Sequence, residues 1–208
     1  MAQLDNSTGP QKSLLRRKLI AAMAEEPVIL ETHGGWGRMF AECYSGIEAG
    51  IVFEKDPRKA GRLALQRPTW AVYEADCVRA ISDGAGAHLT VNFVDIDSYG
   101  ECWPTVDAWF SPCRDGASKR PRAERLYLAV NCGLRHKLRL GGAWDTGSLA
   151  EMVLKYGNGL HDIYLQVCEE MIEIKAAQVG YTLSRFGGFY TGHLKQMTDF
   201  FAILERDQ

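Results

Sequence analysis

The chain has 208 residues, of which 46% are hydrophobic and 24% are charged, and its formal net charge is −2. A chain of this length predicts one domain that buries its core without staples, and its charge excludes the overall basic field of many nucleic-acid-binding proteins. The six cysteines are dispersed and form no C-x-x-C pair, so zinc ribbons and thioredoxin-like sites are not indicated.

The hydropathy pattern predicts a protein without membrane spans. No run of about 18 apolar residues occurs, so no membrane-spanning helix is predicted, and we expect a cytoplasmic protein with reduced thiols. Residues 1–12 are polar and lack a signal-peptide core, so they are predicted to form a flexible tail before a single domain over 13–208. An amphipathic helix is predicted at 14–23, and Pro27 should separate it from the first strand.

Strands and helices then alternate along the chain. Apolar strands, each ending in an acidic residue, are predicted at 28–31, 50–54, 70–76 and 89–97. Helices are predicted at 37–48, 57–66, 77–84 and 103–110. A basic loop, Ser111–Arg125, leads into a fifth strand at 126–130.

The remaining third of the chain predicts an irregular segment at 133–148, a helix at 160–178, and two strands at 181–190 and 197–204 joined by a turn. Alternation of strands and helices favours a mostly parallel sheet with helices on both faces. The predicted fold is therefore α/β, a three-layer sandwich with a mostly parallel seven-stranded sheet and a C-terminal antiparallel hairpin strand.

Acidic residues follow the apolar core of each early strand. Glu31, Glu54 and Asp76 come after the first three, and Asp95 and Asp97 lie at the end of the fourth. The carboxyl ends of parallel strands meet at one edge of a sheet, which is where open α/β sheets bind ligands. Carboxylates there suit a ligand with a polyhydroxylated sugar and a polar base.

Two common nucleotide folds are disfavoured. The sequence has no G-x-x-x-x-G-K-[ST] motif for a P-loop. The run from Gly35 has glycine again at Gly37 but Phe40 where G-x-G-x-x-G needs its third glycine. Glu31 would also repel a pyrophosphate, so a cationic ligand is preferred.

The run Glu31-Thr32-His33-Gly34-Gly35-Trp36-Gly37 and the acids after it resemble the class I S-adenosylmethionine-dependent methyltransferases, over about residues 14–206. In that family an acid precedes a glycine-rich turn, the next strand's acid binds ribose, and the third strand's acid binds the adenine amino group. The resemblance implies a Rossmann-like methyltransferase fold and S-adenosyl-L-methionine as cofactor. The cofactor-binding residues it implies are Glu31, Gly34, Gly35, Gly37, Glu54, Lys55, Asp76, Cys77 and Asp95.

The run Asp95-Ile96-Asp97-Ser98-Tyr99-Gly100 is similar to the Asp-Leu-Asp-Pro-aromatic-Gly motif of transfer-RNA guanine-N2 methyltransferases, with Ser98 in place of proline. Asp95 and Asp97 lie two apart on a strand and so face the same side. By this resemblance Asp97 and Tyr99 are the catalytic residues: Asp97 accepts an N–H of the target amine and Tyr99 stacks on the base. Ser98 is expected to contact the substrate, although it should loosen the turn that proline would hold.

Several further residues admit more than one interpretation. His33 is expected to be a turn residue, and no metal site is predicted. Cys113 follows a proline, as in a Pro-Cys nucleophile, but it lies beyond a helix from Asp97, so a half-exposed loop thiol is preferred. The basic loops 114–125 and 135–139 are predicted to share the open edge of the sheet, where Lys119 and Arg122 would hold nucleic-acid phosphates; a solvated loop is the alternative.

The sequence therefore predicts an S-adenosylmethionine-dependent methyltransferase acting on an exocyclic amine of a base in RNA or DNA. Alternatives are a small-molecule methyltransferase, a non-catalytic S-adenosylmethionine-binding subunit, an S-adenosylmethionine lyase and a nicotinamide oxidoreductase. The oligomeric state and the identity of the acceptor are left open.

Overall fold

Seven strands and six α-helices make up most of residues 8–98, 100–114, 116, 120–133, 135, 138 and 147–207, which a computed structural model describes. The strands are β1 Val28–Glu31, β2 Ala49–Glu54, β3 Ala71–Glu74, β4 Phe93–Asp97, β5 Arg125–Cys132, β6 Tyr181–Thr191 and β7 Met197–Arg206. The α-helices are α1 Gly9–Ala21, α2 Pro57–Gln66, α3 Cys77–Ser82, α4 Trp103–Phe110, α5 Gly147–Tyr156 and α6 Tyr164–Ala177. A π-helix, Phe40–Tyr44, and 3₁₀ helices at Gly157–His161 and His193–Lys195 complete the set.

The strands form one sheet in the order β3-β2-β1-β4-β5-β7-β6. The first five pair in parallel, and β7 inserts antiparallel between β5 and β6. The predicted α/β fold, with a seven-stranded mixed sheet and a C-terminal antiparallel hairpin, is confirmed.

Helices cover both faces of the sheet. One face packs against α1, the π-helix and α2 through Leu19, Tyr44 and Leu63. The other face packs against α3 to α6 around a larger core. Residues of β4 alternate between these layers, since Phe93 belongs to the first core while Val94 and Ile96 belong to the second. Asp95 and Asp97 therefore share the first face, as their spacing predicts.

Short polar caps begin the two helices that follow β2 and β3. The Asp56 carboxylate accepts from the backbone N–H groups of Arg58 and Lys59 at 2.9 and 3.3 Å, and Pro57 occupies the first turn of α2. The Asp76 carboxylate accepts from the Arg79 N–H at 3.1 Å at the start of α3. Such caps satisfy N–H groups that have no partner inside the helix, so the chain turns sharply from each strand into its helix.

Several boundaries differ from those expected from the sequence. Helix α1 begins at Gly9, so residues 9–12 are helical rather than part of the flexible tail predicted over 1–12. The helix predicted at 37–48 is short, with its π-helical part ending at Tyr44. Strand β4 begins at Phe93 rather than at 89, and just before it the Asn92 side-chain oxygen accepts from the Val28 N–H at 2.7 Å.

The second half of the chain adds one helix that the sequence pattern did not predict, α5 at Gly147–Tyr156. Most of the segment predicted to be irregular at 133–148 lies outside the described residues. All six cysteines are free, and Cys113 is buried rather than half-exposed. No helix in the described part of the chain combines the length and apolarity needed to cross a membrane.

Two ion pairs fasten α1 to β4. The Arg16 guanidinium, which has no exposed surface, donates to both oxygens of Asp95 at 2.9 and 2.5 Å. The Tyr44 hydroxyl donates to the same carboxylate at 2.6 Å. One turn earlier, Lys12 donates to Asp97 at 2.6 Å. The two pairs match because four residues of helix and two of strand both advance about 6–7 Å.

Replacing Arg16 by Met should lower the free energy of unfolding by about 3–5 kcal/mol, because it leaves the buried Asp95 carboxylate without its cation. Chemical denaturation at pH 7 measures this change. Arg17→Met, at an exposed position of the same helix, is the matched control and should cost less than about 0.5 kcal/mol. Arg16→Met with Asp95→Asn should recover part of the loss, and an Arg16→Met variant as stable as the control would contradict the assignment.

Candidate functional site

A cavity of about 610 Å³ opens at the carboxyl edge of the parallel strands. Its walls include Glu31 from β1, Glu54 from β2 and Asp97 from β4. The volume is within the usual range for a small-molecule or cofactor site. Three of the acids predicted to converge at this edge therefore do line one space.

The glycine-rich turn after β1 forms the floor of the cavity. Gly34 and Gly35 line it, and Gly35 and Gly37 have left-handed φ values of 53° and 81°. A Cβ atom on Gly34 would lie 2.5 Å from Leu63 and 2.6 Å from Val52, both buried. Glycine therefore lets this turn lie directly on the core and keeps its backbone accessible to a ligand.

Glu54 is held in place by two backbone groups. One carboxylate oxygen accepts from the Gly35 N–H at 2.8 Å and the other from the Asp56 N–H at 2.9 Å. Because these bonds leave further lone pairs on both oxygens, the half-buried carboxylate can still accept hydrogen bonds from a ligand. It is the best oriented acceptor on the cavity wall.

Glu31 lies deeper and is almost fully buried beside Arg67. Burial raises the pKa of Glu31 to about 8, and the Arg67 guanidinium acts in the opposite direction. Arg67 is itself enclosed by the rings of Phe40 and Trp70, whose centroids lie 4.4 and 5.0 Å from its guanidinium carbon. The charge on Glu31 is therefore sensitive to any cation that enters the cavity.

His33 lines the cavity next to Glu31. Its Nδ1 lies 2.8 Å from the Thr32 hydroxyl, which itself bonds to the Asp95 carbonyl oxygen at 3.1 Å. The Nε2 of His33 lies 3.7 Å from the Cys77 thiol, so the ring contacts a polar group on each side. Burial lowers the pKa of His33 despite four nearby acids, so the ring is neutral at pH 7.

Asp97 lies at the rim, with about a quarter of its side chain exposed. Lys12 donates to its Oδ1, and no described residue donates to Oδ2. Burial opposes the charged form, but Arg16 and Lys12 together outweigh it and hold the pKa of Asp97 below its usual range. The carboxylate is thus an ionised acceptor at the rim of the cavity.

Ser98 also lines the cavity, but its hydroxyl is buried and donates to the Asn131 carbonyl at 3.2 Å. This bond ties the residue after Asp97 to the neighbouring strand β5. The loosening expected from serine in place of proline is therefore offset by a side-chain bond that proline cannot make.

Five of the predicted cofactor-binding residues do not line the cavity: Gly37, Lys55, Asp76, Cys77 and Asp95. Asp76 caps α3, and Lys55 lies 3.9 Å from it on the surface. Asp95 requires a correction, because both its oxygens are occupied by Arg16 and Tyr44 and it has no exposed surface. Asp95 lies two residues before the end of β4, too deep in the sheet to contact a ligand.

Arg122, one of the two predicted phosphate-binding residues, also requires correction. Arg122 precedes β5 and donates to the Val179 carbonyl just before β6, so it lies at the amino edge of these strands, opposite Asp97. Cys113 lines a separate cavity with Arg122, which removes it from any role beside Asp97. Tyr99 and Lys119, predicted as catalytic and phosphate-binding, lie outside the described residues.

Sequence reasoning missed Lys12 and the residues Gly192, Gln196 and Met197 at the turn between β6 and β7, all of which line the cavity. For Lys12 a signal was present: Lys12 and Arg16 are four apart on a helix, and Asp95 and Asp97 are two apart on a strand. The turn between β6 and β7 has no comparable pattern. Among the described residues, no group of three or more His, Cys, Asp or Glu side chains is arranged to hold a metal ion.

Similarity to known proteins is found in structure but not in sequence. No family model and no curated protein matches the chain. A structure of Trm1 from Pyrococcus horikoshii with S-adenosyl-L-methionine matches with a TM-score of 0.67 and 13% identity, over 99% of this chain and 57% of that one. The chain thus spans a little over half of that protein's length.

Two further solved structures agree over more of their own length. N-methyltransferase NodS from Bradyrhizobium japonicum WM9 with S-adenosyl-L-homocysteine has a TM-score of 0.61 and 13% identity, with 99% of this chain and 90% of that one covered. TYW2 from M. jannaschii in complex with AdoMet has a TM-score of 0.53 and 15% identity, with 94% and 77% covered. The fold is that of the class I methyltransferases. At such low identities the likeness shows the fold alone.

Lys12→Met should raise the pKa of Asp97 toward its ordinary value, which carboxyl ¹³C NMR measures directly. A depressed pKa in the folded state stabilises the fold above the ordinary Asp pKa, and this contribution is lost as pH falls through the folded value. The variant should thus be less stable than wild type by roughly 1 kcal/mol at pH 7 and equal to it at low pH. Lys18→Met, exposed on the same helix, should change neither quantity; an unshifted Asp97 would show that Lys12 does not act on it.

Proposed function

We propose that this chain is an S-adenosylmethionine-dependent methyltransferase whose acceptor is an exocyclic amine of a nucleic-acid base. The observation that carries the proposal is that Glu54 and Asp97, from the ends of two strands, line one cavity above the glycine-rich turn. The methyltransferase fold supports it. Trm1, NodS and TYW2 are named as binding S-adenosylmethionine or its product in their structures.

The cavity residues fit this cofactor. Glu54, oriented by the Gly35 and Asp56 N–H groups, would accept hydrogen bonds from ribose hydroxyls. Gly34 and Gly35 would let the backbone approach the cofactor. Glu31 would supply negative charge for a cation. The cofactor, when bound, supplies an electrophilic methyl group on a positively charged sulfur.

Asp97 would orient the acceptor. Its Oδ2 would accept an N–H of the amine, which directs the nitrogen lone pair toward the methyl group. Lys12 would keep the carboxylate fixed and ionised through Oδ1. Because methyl transfer is an in-line displacement, placing the amine in this way accounts for most of the catalysis expected from the chain.

One observation favours a second candidate, a non-catalytic S-adenosylmethionine-binding subunit. The Lys12–Asp97 pair already satisfies part of the carboxylate that the acceptor would need. If the pair never opens to an acceptor, the cavity would hold cofactor without transferring a methyl group. Turnover, rather than cofactor affinity, separates the two candidates.

Asp97→Asn should leave S-adenosylhomocysteine affinity within about threefold of wild type while methyl transfer falls at least about tenfold. Transfer is measured with tritiated cofactor over RNA, DNA and metabolite pools, and affinity by calorimetry. Glu169→Gln, an exposed acid on α6, is the control and should alter neither. Equal loss of affinity and turnover would place Asp97 in cofactor binding, and a wild-type protein that binds cofactor but modifies no pool would favour the non-catalytic candidate.

Cofactor binding at pH 7 should release close to one proton, because Glu31, with a pKa of about 8 in the free protein, ionises when a cation enters. Calorimetry in buffers of different ionisation enthalpy measures this release, which should fall to zero well above pH 8 as the free carboxylate is already ionised. Affinity should accordingly rise with pH up to that range.

In the free protein, the raised pKa of Glu31 makes stability fall as pH rises, whereas it makes cofactor affinity rise. The pKa of Glu31 is raised in the folded state, so its contribution to stability is fully present below the ordinary Glu pKa and is lost as pH rises through about 8. Glu31→Gln should abolish the proton release, while Glu48→Gln, an exposed acid, should retain it. A wild-type binding enthalpy that is independent of the buffer would contradict the role given to Glu31.

A further inference from the structure

Among the described residues, the cations that line the cavity lie on α1, on α2 and just before the π-helix Phe40–Tyr44. Lys12, Arg38 and Lys59 contribute to the cavity walls. Arg122 lies at the opposite edge of the sheet, where it bonds to a backbone carbonyl. Phosphates of an acceptor that reaches Asp97 would therefore meet the α1 and α2 side of the opening.

Trp36 stands at this opening with half of its surface exposed. The neighbouring glycines, Gly35 and Gly37, have left-handed conformations. Trp36 also lines the same cavity as Asp97. A flat aromatic surface is thus presented beside the space into which an amine would enter.

Two cations from α2 flank the Trp36 ring. The Lys59 ammonium and the Arg62 guanidinium carbon each lie 5.7 Å from the ring centroid. Neither forms an ion pair with a described residue, since the nearby Asp56 pairs with Arg58. An exposed aromatic ring between unpaired cations is the combination with which proteins hold unpaired nucleotides, by base stacking and by backbone charge.

We propose that the acceptor is a single-stranded polynucleotide, held with an unpaired base on Trp36 and its phosphates against Lys59 and Arg62. This inference rests on the proposed function and names its substrate class. A base within a duplex would first have to leave the stack to reach Asp97, at an unpairing cost that a single strand avoids. Trp36 would stack on the base next to the one whose amine enters the cavity. Two adjacent unpaired nucleotides would therefore lie at the opening.

The test is fluorescence anisotropy of labelled oligouridine and oligothymidine of about 20 nucleotides, and of a duplex of equal length, at low salt. Wild type should bind one or both single strands more tightly than the duplex. Trp36→Ala should weaken this binding at least about fivefold, whereas Trp36→Phe should keep most of it, because stacking needs only an aromatic face.

The double variant Lys59→Gln/Arg62→Gln should flatten the dependence of log K on log salt by about 1.4, as expected for two lost phosphate contacts. The matched control is Arg125→Gln/Arg206→Gln, which removes two exposed arginines from the opposite edge of the sheet. It should leave both affinity and salt dependence as in wild type.

Three results would overturn the inference: equal binding by Trp36→Ala and wild type, an equal change in salt dependence in the control, or tighter binding of the duplex. Parallel loss of S-adenosylhomocysteine and oligonucleotide binding in Trp36→Ala would assign Trp36 to the cofactor site instead. Calorimetry on the wild-type protein separates failure of this inference about the acceptor from failure of the proposed function. A protein that binds S-adenosylhomocysteine but no single strand refutes only the acceptor class, whereas one that binds no S-adenosylhomocysteine refutes the function.

Discussion

The pairing of α1 with β4 is the interaction on which the site depends. Asp95 lies in the middle of the sheet, and a carboxylate removed from water is tolerated there only with a cation and further hydrogen bonds. Arg16 and Tyr44 supply these. Once Arg16 is seated, Lys12 is placed one helical turn nearer the strand end, against Asp97. The requirement to neutralise a buried acid thus brings the start of α1 to the wall of the cavity.

Depth decides what each acid at this edge can do. Asp95 is buried and paired with Arg16, so its charge is a property of the fold, whereas the charge on Glu31, buried beside Arg67, is sensitive to a cation in the cavity. Glu54 and Asp97 lie at the rim and keep lone pairs that face the cavity. A strand rises about 3.3 Å per residue, so a shift of one or two positions separates a ligand contact from a structural ion pair.

The arginines of the loop before β5 stabilise the opposite edge. Arg120 donates to the carbonyl oxygens of Ala108, Trp109 and Ser111 at the end of α4, and to Ile81 near the end of α3. Cations at helix C-termini satisfy carbonyls that have no partner within the helix. The sequence of this basic loop predicts phosphate binding, but its Arg120 instead satisfies carbonyl groups at the ends of α3 and α4. Among the described residues, the cations that line the cavity lie on α1, on α2 and just before the π-helix.

Periodicity and strand-end chemistry in the sequence were sufficient for the order of the elements, the parallel sheet, the closing hairpin and the convergence of Glu31, Glu54 and Asp97. These follow from local patterns, because alternation of strands and helices permits few topologies. Only the tertiary structure decided that Asp95 pairs with Arg16, that Lys12 contacts Asp97, and that Arg122 lies at the edge of the sheet opposite Asp97. Each of these depends on contacts between residues far apart in sequence, and a side chain's partner across such a distance is set by how the layers pack rather than by its neighbours along the chain.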